Sequence, residues 1–122
     1  MQYDKDINSA IFRKLRDILL SFSEIKELKN AKQTSYSDEF GVIAMLRSKD
    51  DTMVMAFGKG SILVQAYPQL QGEGKIVRHL AFKNIKDVNE KMLREMIVES
   101  LILNIEANEM KILKKTKEKH AQ

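Results

Sequence analysis

The sequence predicts an α+β domain: an N-terminal helix, an antiparallel sheet of about four to six strands, and a C-terminal helix or helices. Three observations carry this. Apolar residues recur every three or four positions at both ends of the chain, the period of an amphipathic helix. Between these ends lie short runs rich in β-branched and apolar residues. The single proline, Pro68, and all five glycines fall between residues 41 and 74, so the middle of the chain holds most of the turns. Strand segments that follow one another, without strict alternation with helices, favour α+β over βαβ organisation.

The first helix is expected from about residue 8 to 28. Ile7, Ile11, Leu15, Ile18, Phe22 and Ile25 form its apolar stripe, and Asp6 or Asn8 can cap its start. Its other face mixes Arg13, Lys14, Arg16, Asp17, Glu24 and Lys26, so it reads as a helix packed on a body and not as a membrane binder. A short strand is expected around Gln33–Ser37, then strands at Phe40–Leu46 and Thr52–Phe57 joined by the loop Ser48–Asp51. Ile62–Tyr67 reads as a strand or a short turn, and Ile76–Phe82 as a strand. The last helix opens near Asp87–Asn89, with Asp87 and Glu90 spaced as a capping pair. Val88, Met92, Met96 or Ile97, Leu101, Ile105 and Ile112 form its stripe. It either continues into the lysine-rich tail or breaks near Asn104. Residues 1–110 thus form a single domain, and residues 111–122 a lysine-rich helix extension or tail.

Both alternating faces of Phe40–Leu46 and Met53–Phe57 are apolar, whereas a sheet with one solvated face alternates. Either helices cover both faces, or one face is a subunit interface in a homodimer.

Composition excludes several chemistries. The 122 residues include no cysteine, so disulfides, thiolate metal sites and cysteine nucleophiles are ruled out. The longest uncharged run, Gly60–Gly72, is 13 residues, short of the ~20 apolar residues that span a bilayer. The charged N-terminal segment is neither a signal nor a transit peptide. A cytoplasmic protein without membrane partners is expected.

Positive charge is concentrated in two segments. Residues 111–122 carry five lysines against Glu118, and residues 59–86 carry Lys59, Lys75, Arg78, Lys83 and Lys86 against Glu73. The tail has no aromatic residue and no arginine, so it reads as a solvated helix end rather than as an arm for nucleic acid. The central segment pairs its charges with glycines: Phe57-Gly58-Lys59-Gly60, then Gly72-Glu73-Gly74-Lys75-Ile76-Val77-Arg78-His79. Glycine lets backbone approach a ligand, successive N–H groups in such turns cradle anions, and arginine grips phosphate or carboxylate. Lys59, Gly60, Gly72, Gly74, Lys75, Arg78 and His79 are therefore the candidate ligand-binding residues, provided the two turns meet at one end of the sheet. The spacing is not that of a Walker sequence. In an alternating strand Arg78 shares a face with Leu80 and Phe82, while His79 shares the other with Val77 and Ala81. His79 lacks companions for a zinc site, and no nucleophile motif accompanies it, so no catalytic residue is assigned and a binding role is favoured over an enzyme. Asp17, Glu24 and Glu27 fall on one side of the expected first helix, the weakest candidates, for a metal.

The run Met53–Asn104 resembles the YdhG-like domain of unknown function. The resemblance rests on Ala56-Phe57-Gly58-Lys59-Gly60-Ser61, on Leu70-x-Gly72-x-Gly74-Lys75-x-x-Arg78-His79-Leu80, and on Asp87-Val88-Asn89 opening a helix with Leu93, Met96 and Ile97. Ser35-Tyr36 and the N-terminal helix fit more loosely. An acidic residue often found after the Phe-x-basic-Gly turn is missing from Ile62–Pro68. The resemblance implies a helix, an antiparallel sheet and C-terminal helices, reminiscent of frataxin, with no established common activity. Some relatives are described as iron chaperones, which makes iron handling the alternative to a module that binds a small anion or a protein partner; no cofactor is expected outside that alternative.

Overall fold

The computed structural model describes residues 7–120. The elements run α1 (Ile7–Leu20), β1 (Lys26–Lys29), β2 (Thr34–Asp38), β3 (Gly41–Lys49), β4 (Thr52–Phe57), α2 (Gly60–Leu63), β5 (Arg78–Phe82) and α3 (Glu90–His120). The five strands form one antiparallel sheet in the order β1-β2-β3-β4-β5. This is the expected α+β arrangement.

The first helix is shorter than its apolar period implies. It stops at Leu20, where the Ser21 hydroxyl donates to the Ile18 carbonyl at 2.6 Å and takes an acceptor the helix would otherwise use. Phe22 and Ile25 keep the helical spacing but reach the core from a turn. Lys26–Lys29, expected as helix as far as about residue 28, is instead the short, charged edge strand β1. Asp6 lies outside the described residues, and Asn8 falls inside the helix rather than ahead of it.

The central strands follow the sequence pattern. Strand β4 occupies Thr52–Phe57 as expected, and β3 starts one residue late and extends to Lys49. The loop shrinks to Asp50-Asp51 between the paired Lys49 and Thr52, with Asp50 at a φ of 55°. Aspartate tolerates that left-handed conformation better than most residues. Between β2 and β3, Asp38 closes the turn: its Oδ1 accepts from the backbone N–H of Phe40 at 2.9 Å and of Gly41 at 3.0 Å. Pairing then steps from Ser37↔Val42 to Tyr36↔Ala44, which leaves Ile43 as a bulge residue.

Ile62–Tyr67 is not a strand. Its start belongs to the one-turn helix α2, and turns continue to Tyr67. The Asp87–Glu90 capping pair is also replaced. Asp87 closes a 3-10 turn at Ile85–Asp87 by accepting from the Lys83 and Asn84 N–H groups. Asn89 caps α3 through Met92 N–H at 3.1 Å. Helix α3 continues unbroken through Asn104, which is buried.

Tyr36, Ala44, Leu46, Met53, Met55, Phe57, Leu80 and Phe82 occupy one face of the sheet, matched by cross-strand register. Ile11, Leu15, Ile18 and Leu19 of α1 and Leu93, Met96 and Ile97 of α3 close this core. Among the described residues, helices cover this face only. The other face presents Met45, Arg47, Val54, Ala56 and His79, so two-sided helical cover does not account for its apolar residues.

Candidate functional site

The glycine turns of the central segment meet. A Cβ at Gly60 would lie 2.2 Å from the Arg78 backbone nitrogen, so only glycine lets α2 start against the first residue of β5. The Ser61 N–H donates to the Ile76 carbonyl at 2.9 Å across the same junction. Gly72, at a φ of 110°, turns the chain so that Gln71 and His79 exchange both backbone hydrogen bonds. A Cβ at Gly74 would strike the Val77 carbonyl, which makes 74–77 a tight turn carrying the exposed Lys75.

The four side chains among the seven candidate residues do not share one pocket. Arg78 lies opposite Phe57 at the margin of the helix-covered face, and its Nε donates to the Gly74 carbonyl at 2.9 Å. This bond turns the guanidinium onto its own loop. His79 points to the other face, as the strand alternation requires, and lines a shallow depression with Val77, Met45 and Ala56. Lys59 points elsewhere again. It is half-buried and lines a pocket of about 200 Å³ whose walls include neither Arg78 nor His79.

That pocket lies between the β2–β3 turn, the β4–α2 turn and the core-facing side of α3. Phe40, Gly41, Val42 and Gly58 form one wall; Asn104, Ala107, Asn108 and Lys111 form the other. Its geometry is set by two contacts. A Cβ at Gly58 would meet the Val42 carbonyl at 2.7 Å, so glycine allows the two turns to touch. The Asn104 amide donates to Asp38 Oδ1 at 3.1 Å, the oxygen that already closes the β2–β3 turn. Asn104 is only 3% exposed and ties α3 to that turn. No carboxylate lines the pocket, and among the described residues neither Lys59 nor Lys111 forms an ion pair. Two lysines without an ion pair among the described residues and the Asn108 amide thus line one pocket of about 200 Å³.

Lys111, Asn104 and Asn108 were not singled out by the sequence as site residues. Lys111 stands 52 positions from Lys59 in a run of lysines that reads as a solvated tail. The helical spacing of 104, 108 and 111 places them on one side of α3, and that spacing was the available signal.

The acidic candidates separate. Asp17 is on α1, Glu24 is in the turn after it, and Glu27 is on β1, so they do not line one helix face as expected. Glu27 is engaged: it accepts from Arg16 Nε at 2.7 Å and Nη2 at 3.2 Å, and from the Tyr36 hydroxyl at 2.8 Å. Burial pushes its carboxyl up, but the Arg16 and Tyr36 hydrogen bonds outweigh this and hold it below the usual glutamate range. Among the described residues no three His, Asp or Glu side chains are grouped to hold a metal ion. No helix is long and apolar enough to cross a membrane among those residues. Comparisons with known protein families, with curated proteins and with solved structures found no match.

Proposed function

We propose that this chain is a binding module, YdhG-like in type, that holds a compact anionic group, a phosphate or carboxylate, between Lys59 and Lys111. The observation that carries the reading is their convergence: two unpaired cations from distant segments line one pocket of about 200 Å³ with no acid in its walls. Like charges brought together repel, so each ammonium lowers its energy when an anion sits between them. The glycine–lysine turn that carries much of the family resemblance supports the same reading, because Gly58 and Gly60 fix the backbone on both sides of Lys59. The seven-residue site expected from sequence is thereby reduced to Lys59 and the Gly60 junction, with Lys111 and Asn108 in place of Arg78 and His79. The iron-handling alternative rests on Asp17, Glu24 and Glu27, which the fold separates, and no observation favours it over the lysine pocket.

The test is a thermal-shift titration of the full chain with inorganic phosphate, pyrophosphate, a dicarboxylate and, anaerobically, ferrous iron. An anion at ~100 times its dissociation constant adds about 2.7 kcal/mol and raises the midpoint by several degrees. Lys59→Met and Lys111→Met should each abolish the shift, and Lys75→Met and Arg78→Met should leave it intact. Loss of the shift in Arg78→Met alone would return the site to the 72–79 segment. A shift with ferrous iron only would overturn the reading in favour of metal handling.

A further inference from the structure

Helix α3 is apolar on two opposite sides. Leu93, Met96, Ile97, Ser100 and Asn104 face the body and are buried. At 100° per residue, Val98, Ile102, Ile105, Ile112 and Leu113 fall on the opposite side, in one stripe. Val98, Ile102 and Ile105 are each 44% exposed, Ile112 is 55% and Leu113 61%. A surface helix normally presents charge there, and here Glu109 falls within the stripe between Ile105 and Ile112.

The charges along α3 are segregated in sequence. From Glu95 to Met110 the helix carries Glu95, Glu99, Glu106 and Glu109 and no base. From Lys111 to Lys119 it carries five lysines and one glutamate. Beside the stripe, a cleft of about 510 Å³ has a floor of Phe40, Leu101 and Ile105 and a rim of Glu24, Asp38 and Glu39 against a single lysine, Lys26. An apolar surface with an acidic border is complementary to an apolar helix with a basic border, and the segment 111–119 of this same chain is such a helix.

We infer that two copies of the chain pair through α3, antiparallel, each laying its basic C-terminal segment along the acidic, apolar stripe and cleft of the other. The antiparallel arrangement that brings Ile102 and Ile105 toward Leu113 and Ile112 sets Glu99 beside the partner's Lys117, while Glu106 and Glu109 lie near the two-fold axis. A parallel pair would set glutamate beside glutamate and lysine beside lysine. The contact is isologous, so it closes at two copies and does not propagate. Lys111 faces the body, away from the stripe, so this pairing stands independently of the anion pocket.

The test is sedimentation of the full chain at high micromolar concentration, followed by cysteine cross-linking. The expected mass is twice 14.1 kDa. Ile102→Glu and Leu113→Glu alter exposed positions, leave the fold intact by circular dichroism, and should each weaken association at least ~100-fold by burying an unpaired charge. Lys115→Glu with Lys117→Glu should weaken it as well, and raised salt should weaken the unmodified chain. The chain has no native cysteine, so orientation can be read directly. A mixture of Ile102→Cys and Leu113→Cys chains should form a disulfide between the two variants under mild oxidation, and Ile102→Cys alone should not link to itself. A monomer at high micromolar concentration would overturn the inference. So would self-linkage of Ile102→Cys, which marks a parallel pair. A dimer indifferent to both glutamate substitutions would move the interface to another surface, such as the open sheet face.

Discussion

Replacing Gly60 by alanine tests how the site is built. Gly60 does not have a positive φ, so any effect is steric and not torsional. The added Cβ would lie 2.2 Å from the Arg78 nitrogen, 2.6 Å from its Cβ and 2.8 Å from its Cα. Two of these three atoms are backbone, so no rotamer change relieves them. The β4–α2 turn must move off the start of β5, and the bond from Ser61 N–H to the Ile76 carbonyl goes with it. Overpacking of this kind costs ~1–3 kcal/mol, and a lost hydrogen bond ~0.5–1.5 kcal/mol. The sum is about 2–4 kcal/mol, or roughly 10 °C in melting midpoint for a chain of this length. Gly41 supplies the control. A Cβ there meets only the Asn104 amide at 3.6 Å, an ordinary contact, and φ is not positive. Gly41→Ala should therefore be neutral, or stabilising by ~0.5 kcal/mol through the unfolded chain. The assay is urea denaturation of both variants beside the unmodified protein. The reasoning is refuted if Gly60→Ala stays within ~1 kcal/mol of the unmodified chain, or if Gly41→Ala loses as much.

Glu27→Gln should cost ~1–2 kcal/mol at neutral pH, because it discharges an acceptor of Arg16 and Tyr36 hydrogen bonds. Since the folded carboxyl titrates below its unfolded value, near 4.3, its contribution is present above that pH and fades as pH falls through the folded value. The stability gap between Glu27→Gln and the unmodified protein should therefore close on acidification; a gap that widens below pH ~5 contradicts the assignment. Asp38→Ala should cost ~1–3 kcal/mol by stranding the buried Asn104 amide, and should also weaken phosphate binding, since Asn104 anchors the stretch of α3 that carries Lys111. Phosphate affinity unchanged in that variant would separate the pocket from the anchor.

Strands β3 and β4 were legible because their runs are short, apolar and bounded by turn formers; Thr52–Phe57 is the plainest case. The first helix was overrun for a definite reason. Phe22 and Ile25 must be buried whether the chain arrives by helix or by turn, so their spacing extends a period whose hydrogen bonds have already ended at Leu20. Ser21, which competes for the Ile18 carbonyl, was the local sign of that end. Ile62–Tyr67 stayed open between strand and turn for a related reason: one turn of helix is too short to show a period, and Leu63 is the only residue of that run with a fully buried side chain. Within the site, the two glycine turns were readable from composition, and their meeting was a condition that composition does not supply. The direction of each side chain was not. Strand alternation divides Arg78 from His79, and the bond to the Gly74 carbonyl turns Arg78 onto its own loop.

Helix α3 joins these threads. It is 31 residues, about 46 Å long, and only its first half packs on the body, through Leu93, Met96, Ile97, Ser100 and Asn104. The segment 111–119 is exposed throughout. Taken alone it is a poor helix: nine residues fall below the ~12–15 at which isolated helices become marginal, and Lys111–Lys115 and Lys115–Lys119 are like-charge pairs one turn apart. Continuity with the packed half supplies the nucleus but does not remove that repulsion. The inferred antiparallel pairing would lay acidic groups of a second copy, Glu99 and the rim of its cleft, beside this segment and offset part of it. The charge order of α3, acidic then basic along an exposed stripe interrupted at Glu109, is what the inferred pairing would use, and the core of one chain needs neither.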